Sequence, residues 1–418
     1  MPASGRTTDQ TTREAMHILI VSPELPYPLS WGFSIRVSQV LSLLARRHYV
    51  TLLTYAKPGD VAKVDALAQM CSAVHTVNAE DALPNRKRFV QLTSLFSHRS
   101  FQGRYLYSDA MQQKLDALCA GPAFDIIQVE TSQLMTFSFD QRSAVVVVEH
   151  DIGYELLGRI AMAERSFLRR VYNSAEARKY KREEIDRWTQ AAACVVTSAR
   201  EVPILRGNGV TSPVLTAPNG VDVEYFAPSD AAHDPDTLVM TGLMRTRPNI
   251  DAAAFFVRDI LPNILVRRPN ARIYIVGGDP PDEVKRLASA NVVVTGGVPD
   301  VRPYVSKAAV VVVPLRMGGG TRLKVLEGLA MRKPMVSTSL GCEGIDVNHE
   351  EHLLIADDPV HFADAVLRIM DGPSAGRALA DNGYALVHGR YRWAFIVEQL
   401  EAFYEELLRT RPRCADAS

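Results

Sequence analysis

The chain has 418 residues, of which 47% are apolar and 22% are charged. This length exceeds one ordinary hydrophobic core and favours two domains of about 200 residues each. The 47 basic residues balance the 47 acidic ones, and this balance disfavours a nucleic-acid-binding protein. No apolar run reaches the roughly 18 residues of a membrane span. Five scattered cysteines without a Cys-x-x-Cys pair favour a reducing cytosol.

Short apolar runs alternate with helical patterns through the first half of the chain. Residues 1–14 are polar, and we expect a disordered tail there rather than a signal peptide. A helix is predicted at 34–46, a helical and basic region at 84–121, and one or two long helices at 153–190. Strands are predicted at 17–22, 49–55, 74–77, 125–129, 144–149, 194–197 and 214–217.

The Pro- and Asp-rich residues 227–237 are the best candidate for a linker, and the alternation restarts beyond them. Helices are predicted at 250–267 and 282–290, and strands at 238–242, 272–276, 292–295, 310–313, 335–337 and 353–355. Strands separated by helices form parallel sheets with right-handed crossovers. We therefore predict an α/β fold of two Rossmann-like, doubly wound domains that face each other across a ligand-binding cleft.

A glycine-rich loop, GGGTRLK at 318–324, follows the predicted strand 310–313. Glycines let the backbone approach a phosphate closely, and the start of the next helix offers free N–H groups and partial positive charge. Lys324 is our choice for a phosphate contact, whereas the role of Arg322 stays open. Glu327, one turn further on, can accept hydrogen bonds from a ribose diol. The alternative is a tight turn in which Glu327 merely pairs with Lys324. The loop residues predicted to bind the donor are Gly319, Gly320, Thr321 and Arg322.

Two arginines, Arg245 and Arg247, follow the predicted strand 238–242 and overlook the same cleft. Arginine can hold two phosphate oxygens at once, and fixed cations stabilise a leaving diphosphate as its charge develops. We expect at least one of the two to contact phosphate. The alternative is a solvated loop.

The first domain offers candidates at the ends of two predicted strands. Gly32 could bring backbone close to a ligand, and Trp31 could either pack on a sugar ring or belong to the core. His150 and Asp151 end the strand 144–149, and we expect His150 to contact the transferred group. The segment 218–222, PNGVD, has the composition of a turn.

No metal-binding pattern stands out. Asp234 and Asp236 have D-x-D spacing, but they lie in the predicted linker. Two basic stretches, 86–104 and 159–187, carry interleaved apolar residues. We expect solvated helical faces there, and a contact with an anionic membrane surface is the alternative.

The chain resembles the GT4 group of glycosyltransferases, which adopt the GT-B fold. The resemblance is specific in PLRMGGGTRLKVLEGLAMRKPMVST, is supported by TGLMRTRPNIDA, ARIYIVGG and VTGGVPDVRPYV, and is weaker in HILIVSPELPYPL, EHDIGYE and APNGVD. It implies retaining, metal-independent transfer of a hexose, without a cofactor, from a UDP-, GDP- or dTDP-linked sugar. The acceptor would be a glycan, a lipid-linked or a small-molecule hydroxyl. Such an enzyme would make a cell-surface polysaccharide or glycolipid in the cytoplasm, at or near the inner face of the membrane.

The resemblance also implies roles for individual residues. Glu327 would hold the donor ribose, His150 would lie near the sugar, and Gly32 would cover the phosphates. Val298, beside Gly297, would read the base, and Trp31 and Asp151 would face the acceptor. The implied domains are 15–226 for the acceptor and 227–390 for the donor, with a tail at 391–418 that crosses back to the first domain.

The chain departs from the family pattern at two places. The family commonly has a second glutamate eight positions before the one at Glu327, and Gly319 stands there instead. It also commonly has a lysine after the arginine of the second domain's first strand, where this chain offers only Arg245 and Arg247. Recognition of the transferred sugar must therefore use other groups, and Lys324 takes part of the missing lysine's role.

Two other classes of function fit part of the pattern. A sugar-nucleotide epimerase of GT-B-like fold would need a carboxylate that removes a proton from the sugar, and none is apparent. A non-catalytic sugar-nucleotide-binding protein would be compatible with Gly319. Glycosylation of a natural product is a variant of the main interpretation.

Overall fold

The computed structural model describes residues 15–28, 31–83, 87–94, 96–164, 166–229, 234–318 and 322–411. The tail 1–14, the loop residues Gly319, Gly320 and Thr321, and a small part of the first basic stretch therefore lie outside the described residues. The described residues form two parallel β-sheets covered by helices.

The first sheet has seven parallel strands in the order β3-β2-β1-β4-β5-β6-β7. Its central strands are apolar runs such as AVVVVE, buried on both faces as a parallel sheet requires. The strands are β1 His17–Ser22, β2 Tyr49–Ala56, β3 Ala73–Asn78, β4 Ile126–Glu130, β5 Ala144–Glu149, β6 Ala193–Val196 and β7 Val214–Thr216.

Helices cover both faces of this sheet. They are α1 Gly32–Leu44, α2 Val61–Ala68, α3 Ala79–Ala82, α4 Lys87–Ser94, α5 Phe101–Tyr105, α6 Asp109–Cys119, α7 Gly153–Ala163, α8 Phe167–Gln190 and α9 Glu201–Gly207. The predicted segment 153–190 thus forms two helices. The buried carboxylate of Glu184 on α8 accepts hydrogen bonds at 2.9 Å from the backbone N–H groups of Gly153 and Tyr154, and so fixes the start of α7.

The second sheet has six parallel strands in the order β10-β9-β8-β11-β12-β13, which repeats the pattern of the first. The strands are β8 Asp234–Thr241, β9 Arg272–Val276, β10 Val292–Gly296, β11 Ala308–Val313, β12 Met335–Ser337 and β13 Leu354–Ile355. Both orders are those of doubly wound sheets. The predicted fold class is confirmed.

The helices of the second half are α10 Arg247–Phe255, α11 Leu261–Arg267, α12 Asp282–Lys285, α13 Arg302–Lys307, α14 Leu323–Ala330, α15 Pro359–Asp371, α16 Pro373–Arg390 and α17 Trp393–Thr410. Two predictions were wrong in extent. The helix predicted at 282–290 ends at Lys285, and β8 already begins at Asp234 inside the predicted linker. Asp236 of the D-x-D pair forms an ion pair with Arg268, in which Asp236 Oδ1 lies 3.0 Å from Arg268 Nη1.

Helix α17 packs on the first domain, where Trp393, Ile396 and Tyr404 join the core cluster that contains β1 and α1. Gly220 makes this crossing possible, because a Cβ atom there would lie 2.7 Å from the Trp393 ring. The backbone N–H of Val221 also donates to the carbonyl of Tyr391 at 2.8 Å. The PNG segment therefore packs against the start of the C-terminal helix, in addition to forming a turn.

Across the described ranges, no helix is both long enough and apolar enough to cross a bilayer.

Candidate active site

The site in the second domain is built where β8 and β11 lie side by side. The chain leaves these two strands toward opposite halves of the sheet, and such a switch point opens a crevice beyond their carboxyl ends. Strand β8 leads to Gly242, and β11 leads through residues 314–318 toward helix α14. The described residues on either side of the predicted phosphate loop, 314–318 and 322–324, therefore lie at this crevice.

Lys324, in the first turn of α14, reaches across the crevice to the loop after β8. Its Nζ donates to Asn249 Oδ1 at 2.8 Å. A Cβ atom on Gly242, whose φ is +149°, would lie 2.7 Å from the same Nζ. A larger residue here would therefore have to displace the ammonium, and the positive φ also favours glycine. Burial and, to a smaller extent, the positive charge of Arg322 lower the pKa of Lys324 to about 8, whereas Glu327 opposes the shift.

Glu327 lies one helical turn beyond Lys324. Burial raises the pKa of its carboxyl group to about 7, and the nearby Lys324 opposes that shift. The hydrogen bond of Lys324 goes to Asn249 on α10. Glu327 does not accept this hydrogen bond, and it is a partly buried carboxylate at the crevice. Its contact with a ribose remains a prediction.

Arg322 lies between the two domains. Its guanidinium packs against Gly318, where a Cβ atom would be 3.0 Å from Nη2. Burial lowers the pKa of Arg322, and the carboxylates of Glu343 and Asp151 act in the opposite direction. Because Asp151 belongs to the first domain, the two domains bring their charges together here. A second contact joins Arg159 of α7, through Nη1, to the Gly318 carbonyl at 3.5 Å.

The two arginines after β8 differ in their surroundings. Arg245 is exposed and its Nη1 forms an ion pair with Asp279 Oδ2 at 3.0 Å. Arg247 is the first residue of α10 and is also exposed. It makes no hydrogen bond or ion pair to any of the residues described. Arg247 is thus the better placed of the two for a ligand.

The first domain supplies a row of aromatic rings. His150 follows β5, and its ring centroid is 4.7 Å from that of Phe33. Phe33 in turn stacks on Trp31 with centroids 5.4 Å apart. Trp31 is 49% exposed, so the alternative that it belongs to the core is wrong. His150 Nε2 also lies 2.8 Å from Glu130 Oε2, at the end of β4.

Helix α1 points its N-terminus toward α14. It begins at Gly32, where a Cβ atom would lie 3.9 Å from Leu323 Cδ1 at the start of α14. Two positive helix ends therefore converge on one part of the cleft, which is an arrangement suited to an anion.

The predicted base-reading residues follow β10. Gly297 lies close to Gly278, because a Cβ atom added at Gly297 would be 3.6 Å from Gly278 Cα. Val298 is partly buried and packs on the core of the second domain. Its contact with a base remains a prediction.

Three residues of the site escaped the sequence analysis, namely Gly242, Asn249 and Glu130. Gly242 and Asn249 lie within the motif that drew attention to Arg245 and Arg247. Glu130 and its neighbour Gln128 interrupt an otherwise apolar strand, IIQVE, and both are buried. Buried polar residues in such a strand require hydrogen-bond partners, so their presence in the sequence could have indicated a polar site here.

Over the part of the chain that the structure covers, no group of three or more His, Cys, Asp or Glu side chains is arranged to hold a metal ion.

The chain is similar in sequence to one protein family and to one curated protein. Residues 235–372, within the second domain, match the family model described as glycosyl transferases group 1. An uncharacterized 44.6 kDa protein from the cps region of Klebsiella pneumoniae is 22% identical over 390 residues, which are 90% of this chain and 96% of that protein.

Two solved structures share the architecture over nearly the whole chain. Anabaena Alr3699/HepE in complex with UDP-glucose has a TM-score of 0.65 at 14% identity, and the match covers 94% of this chain and 100% of that one. WaaG, a glycosyltransferase involved in lipopolysaccharide biosynthesis, has a TM-score of 0.62 at 14% identity, with 93% and 99% covered. These likenesses show that the chain has the GT-B fold.

The two shifted groups predict how binding of UDP depends on pH. Lys324 loses its charge as the pH rises through about 8, and Glu327 gains its charge as the pH rises through about 7. Diphosphate needs the ammonium and ribose needs the carboxylate, so affinity should be highest between these values and fall on both sides.

Calorimetric titration with UDP over about pH 6 to 9 tests this profile. Lys324→Arg, which stays charged, should lose the alkaline fall, and Glu327→Gln should lose the acidic one. An affinity for UDP that stays constant over the range would contradict both assignments.

Proposed function

We propose that this chain is a retaining, metal-independent glycosyltransferase of the GT4 type. It would transfer a hexose from a nucleoside diphosphate sugar to a hydroxyl acceptor. The observation that carries the proposal is the convergence of two helix N-termini, Lys324 and Arg322 beside the carboxylate of Glu327, in the cleft of a GT-B fold.

The donor's diphosphate would lie at the start of α14, against the glycine loop and Lys324, with Arg247 and the N-terminus of α1 above it. Glu327 would accept hydrogen bonds from the ribose hydroxyls. Cations and helix ends that are already in place stabilise the diphosphate as it leaves, because they need no reorganisation when its charge develops.

The transfer itself would occur on one face of the sugar. The bond between the anomeric carbon and the phosphate oxygen breaks, and the acceptor oxygen bonds to the same carbon from the same side. The acceptor's proton passes to the leaving phosphate, which also takes the bonding electron pair. His150 would contact the transferred sugar, and Trp31 and Asp151 would face the acceptor.

Similar proteins support a UDP-linked donor and a cell-surface product, without fixing either. HepE was solved with UDP-glucose, and WaaG is involved in lipopolysaccharide biosynthesis. We accordingly place this activity in the cytoplasm, in the synthesis of a polysaccharide or glycolipid, with UDP as the first nucleotide to test beside GDP and dTDP.

Two partly buried lysines of the second domain provide a matched test of the donor site. Burial lowers the pKa of Lys324 and of Lys333 alike to about 8, but Lys333 Nζ donates to the Ser306 carbonyl, away from the crevice. Lys324→Ala should weaken UDP binding about 10- to 100-fold, because a charge-assisted hydrogen bond contributes about 1.5–3 kcal/mol. Lys333→Ala should bind UDP as the wild type does.

Turnover then separates the classes of function. UDP-glucose incubated with the wild type should release UDP with an α-configured product, and chelation of metals with EDTA should leave the rate unchanged. Equal loss of UDP binding in both lysine variants would refute the site. A sugar nucleotide of altered configuration would indicate an epimerase, and binding without turnover of UDP-, GDP- or dTDP-sugars would indicate a non-catalytic binding protein.

A further partner is suggested by an apolar surface on α7 and α8, which we call the hairpin patch. Its six large side chains are 39% to 78% exposed, which is unusual for a solvated helical face. Exposed Arg169 and Arg170 lie among them, and Arg170 stands 5.9 Å from the Phe167 ring centre. The patch consists of Leu156, Ile160, Met162, Phe167, Leu168 and Val171.

We infer that the hairpin patch binds an anionic bilayer surface, since apolar side chains can enter the interface while arginines meet lipid phosphates. Helix α7 also carries Arg159, which reaches the Gly318 carbonyl of the second domain. Docking through this patch would therefore hold the cleft close to a lipid-linked acceptor.

Vesicle co-sedimentation tests the membrane contact. The double variant Phe167→Ser, Leu168→Ser should bind phosphatidylglycerol vesicles at least about tenfold more weakly, because burial of each side chain contributes about 1.5–3 kcal/mol. The matched control is Val266→Ser with Val360→Ser, which removes exposed apolar side chains from the second domain. Unchanged vesicle binding, or a wild-type dimer that the first pair abolishes, would contradict the membrane assignment.

A further inference from the structure

His150 stands at the end of a line of hydrogen-bonded side chains that begins on the C-terminal helix. The Tyr404 hydroxyl on α17 donates to Gln128 Oε1 at 2.7 Å, and Gln128 Nε2 donates to Glu130 Oε1. The other oxygen of Glu130 lies 2.8 Å from His150 Nε2. Tyr404, Gln128 and Glu130 are each at most 1% exposed, so water does not compete with these bonds.

The donors and acceptors along this line are arranged in only one way. Because the tyrosine donates to the amide oxygen, the amide nitrogen of Gln128 must face Glu130. A carboxylate only accepts hydrogen bonds, so the nitrogen of His150 that faces it must carry the proton. The other ring nitrogen, Nδ1, is then an acceptor in neutral His150.

A buried arginine supports the carboxylate at the centre of this line. Arg36 on α1 interacts electrostatically with Glu130, although burial lowers its own pKa. Its Nη1 donates to the Pro218 carbonyl at 3.0 Å and to Asn219 Oδ1 at 3.1 Å. The turn against which α17 packs thus also holds the Arg36 guanidinium near Glu130.

His150 is held from other sides as well. Thr197 donates through its hydroxyl to the His150 carbonyl at 3.2 Å, and the Phe33 ring lies against the imidazole. The Thr197 bond thus holds the backbone of His150, and Phe33 and Glu130 contact its ring.

We propose that Glu130 is a positioning residue that holds His150 in the Nε2–H tautomer, while Gln128, oriented by Tyr404, donates to the other oxygen of Glu130. Nδ1 then accepts a hydrogen bond from a hydroxyl of the transferred sugar, a step that rests on the proposed function. The C-terminal helix, which arrives from the second domain, contributes the Tyr404 hydroxyl at the far end of this line.

The tautomer can be observed directly by NMR of protein labelled with ¹⁵N-histidine, well above the ordinary histidine pKa of about 6.5. The chain has ten histidines, so the His150 signals are assigned by their loss in His150→Gln. The wild type should show Nε2–H.

Glu130→Gln should reverse that result. Gln128 still presents its amide nitrogen, so the oxygen of the new side chain must face Gln128 and its NH₂ group must face His150. Nε2 then becomes the acceptor and the proton moves to Nδ1. Nδ1–H in the wild type, or Nε2–H retained in Glu130→Gln, would overturn the proposal.

A second pair of variants keeps the test decisive if Glu130→Gln fails to fold. Tyr404→Phe removes the hydroxyl that orients Gln128 but leaves the Glu130 carboxylate, which only accepts hydrogen bonds, so His150 should keep the Nε2–H tautomer. Tyr55→Phe removes another buried hydroxyl of the same domain, one bonded to the Leu106 carbonyl, and should leave a single tautomer. Nδ1–H, or a mixture of tautomers, in Tyr404→Phe would also refute the proposal.

Neither NMR result depends on a donor or on turnover. A wrong tautomer would therefore refute the positioning role alone, and absence of UDP binding would refute the proposed function alone. With UDP-glucose bound, the Nδ1 resonance should shift in the wild type, and an unmoved resonance would contradict the sugar contact.

Discussion

The Lys324 ammonium, which is hydrogen-bonded close to Gly242, connects the two sides of the second domain's crevice. It joins the first turn of α14 to the end of β8 across the switch point of the sheet, with Asn249 as the hydrogen-bond partner. A side chain at Gly242 would require the ammonium to shift and would place a non-glycine residue at a φ of +149°. Because the ammonium is partly buried, its pKa falls to about 8, and an anionic ligand would restore the charge that burial disfavours.

The first domain completes this crevice with features of a different kind. Its contribution is the N-terminus of α1, the exposed ring of Trp31 and the carboxylate of Asp151, which acts on Arg322 across the cleft. Positive groups therefore collect where a diphosphate would lie, and aromatic and hydrogen-bonding groups collect where sugars would lie. This division agrees with a donor held mainly by one domain and an acceptor held mainly by the other.

Sequence patterns predicted the sheets well, because each buried parallel strand is an apolar run that ends at a turn. They also located the glycine loop with Lys324 and Glu327, which are close together along the chain. They could not locate Asn249 as the partner of Lys324, or Tyr404 behind His150, because such contacts join residues 75 or more positions apart. The exposure of Trp31 likewise depends on tertiary packing, which local sequence does not encode.

The most direct test of the donor site is a crystal structure of the protein with UDP bound. The diphosphate should lie at the start of α14 within about 2.7–3.2 Å of Lys324 Nζ, and the ribose hydroxyls should lie within the same distance of Glu327. Ordered UDP in another part of the molecule, or a diphosphate that Lys324 does not touch, would contradict the assignment of this cleft as a sugar-nucleotide site.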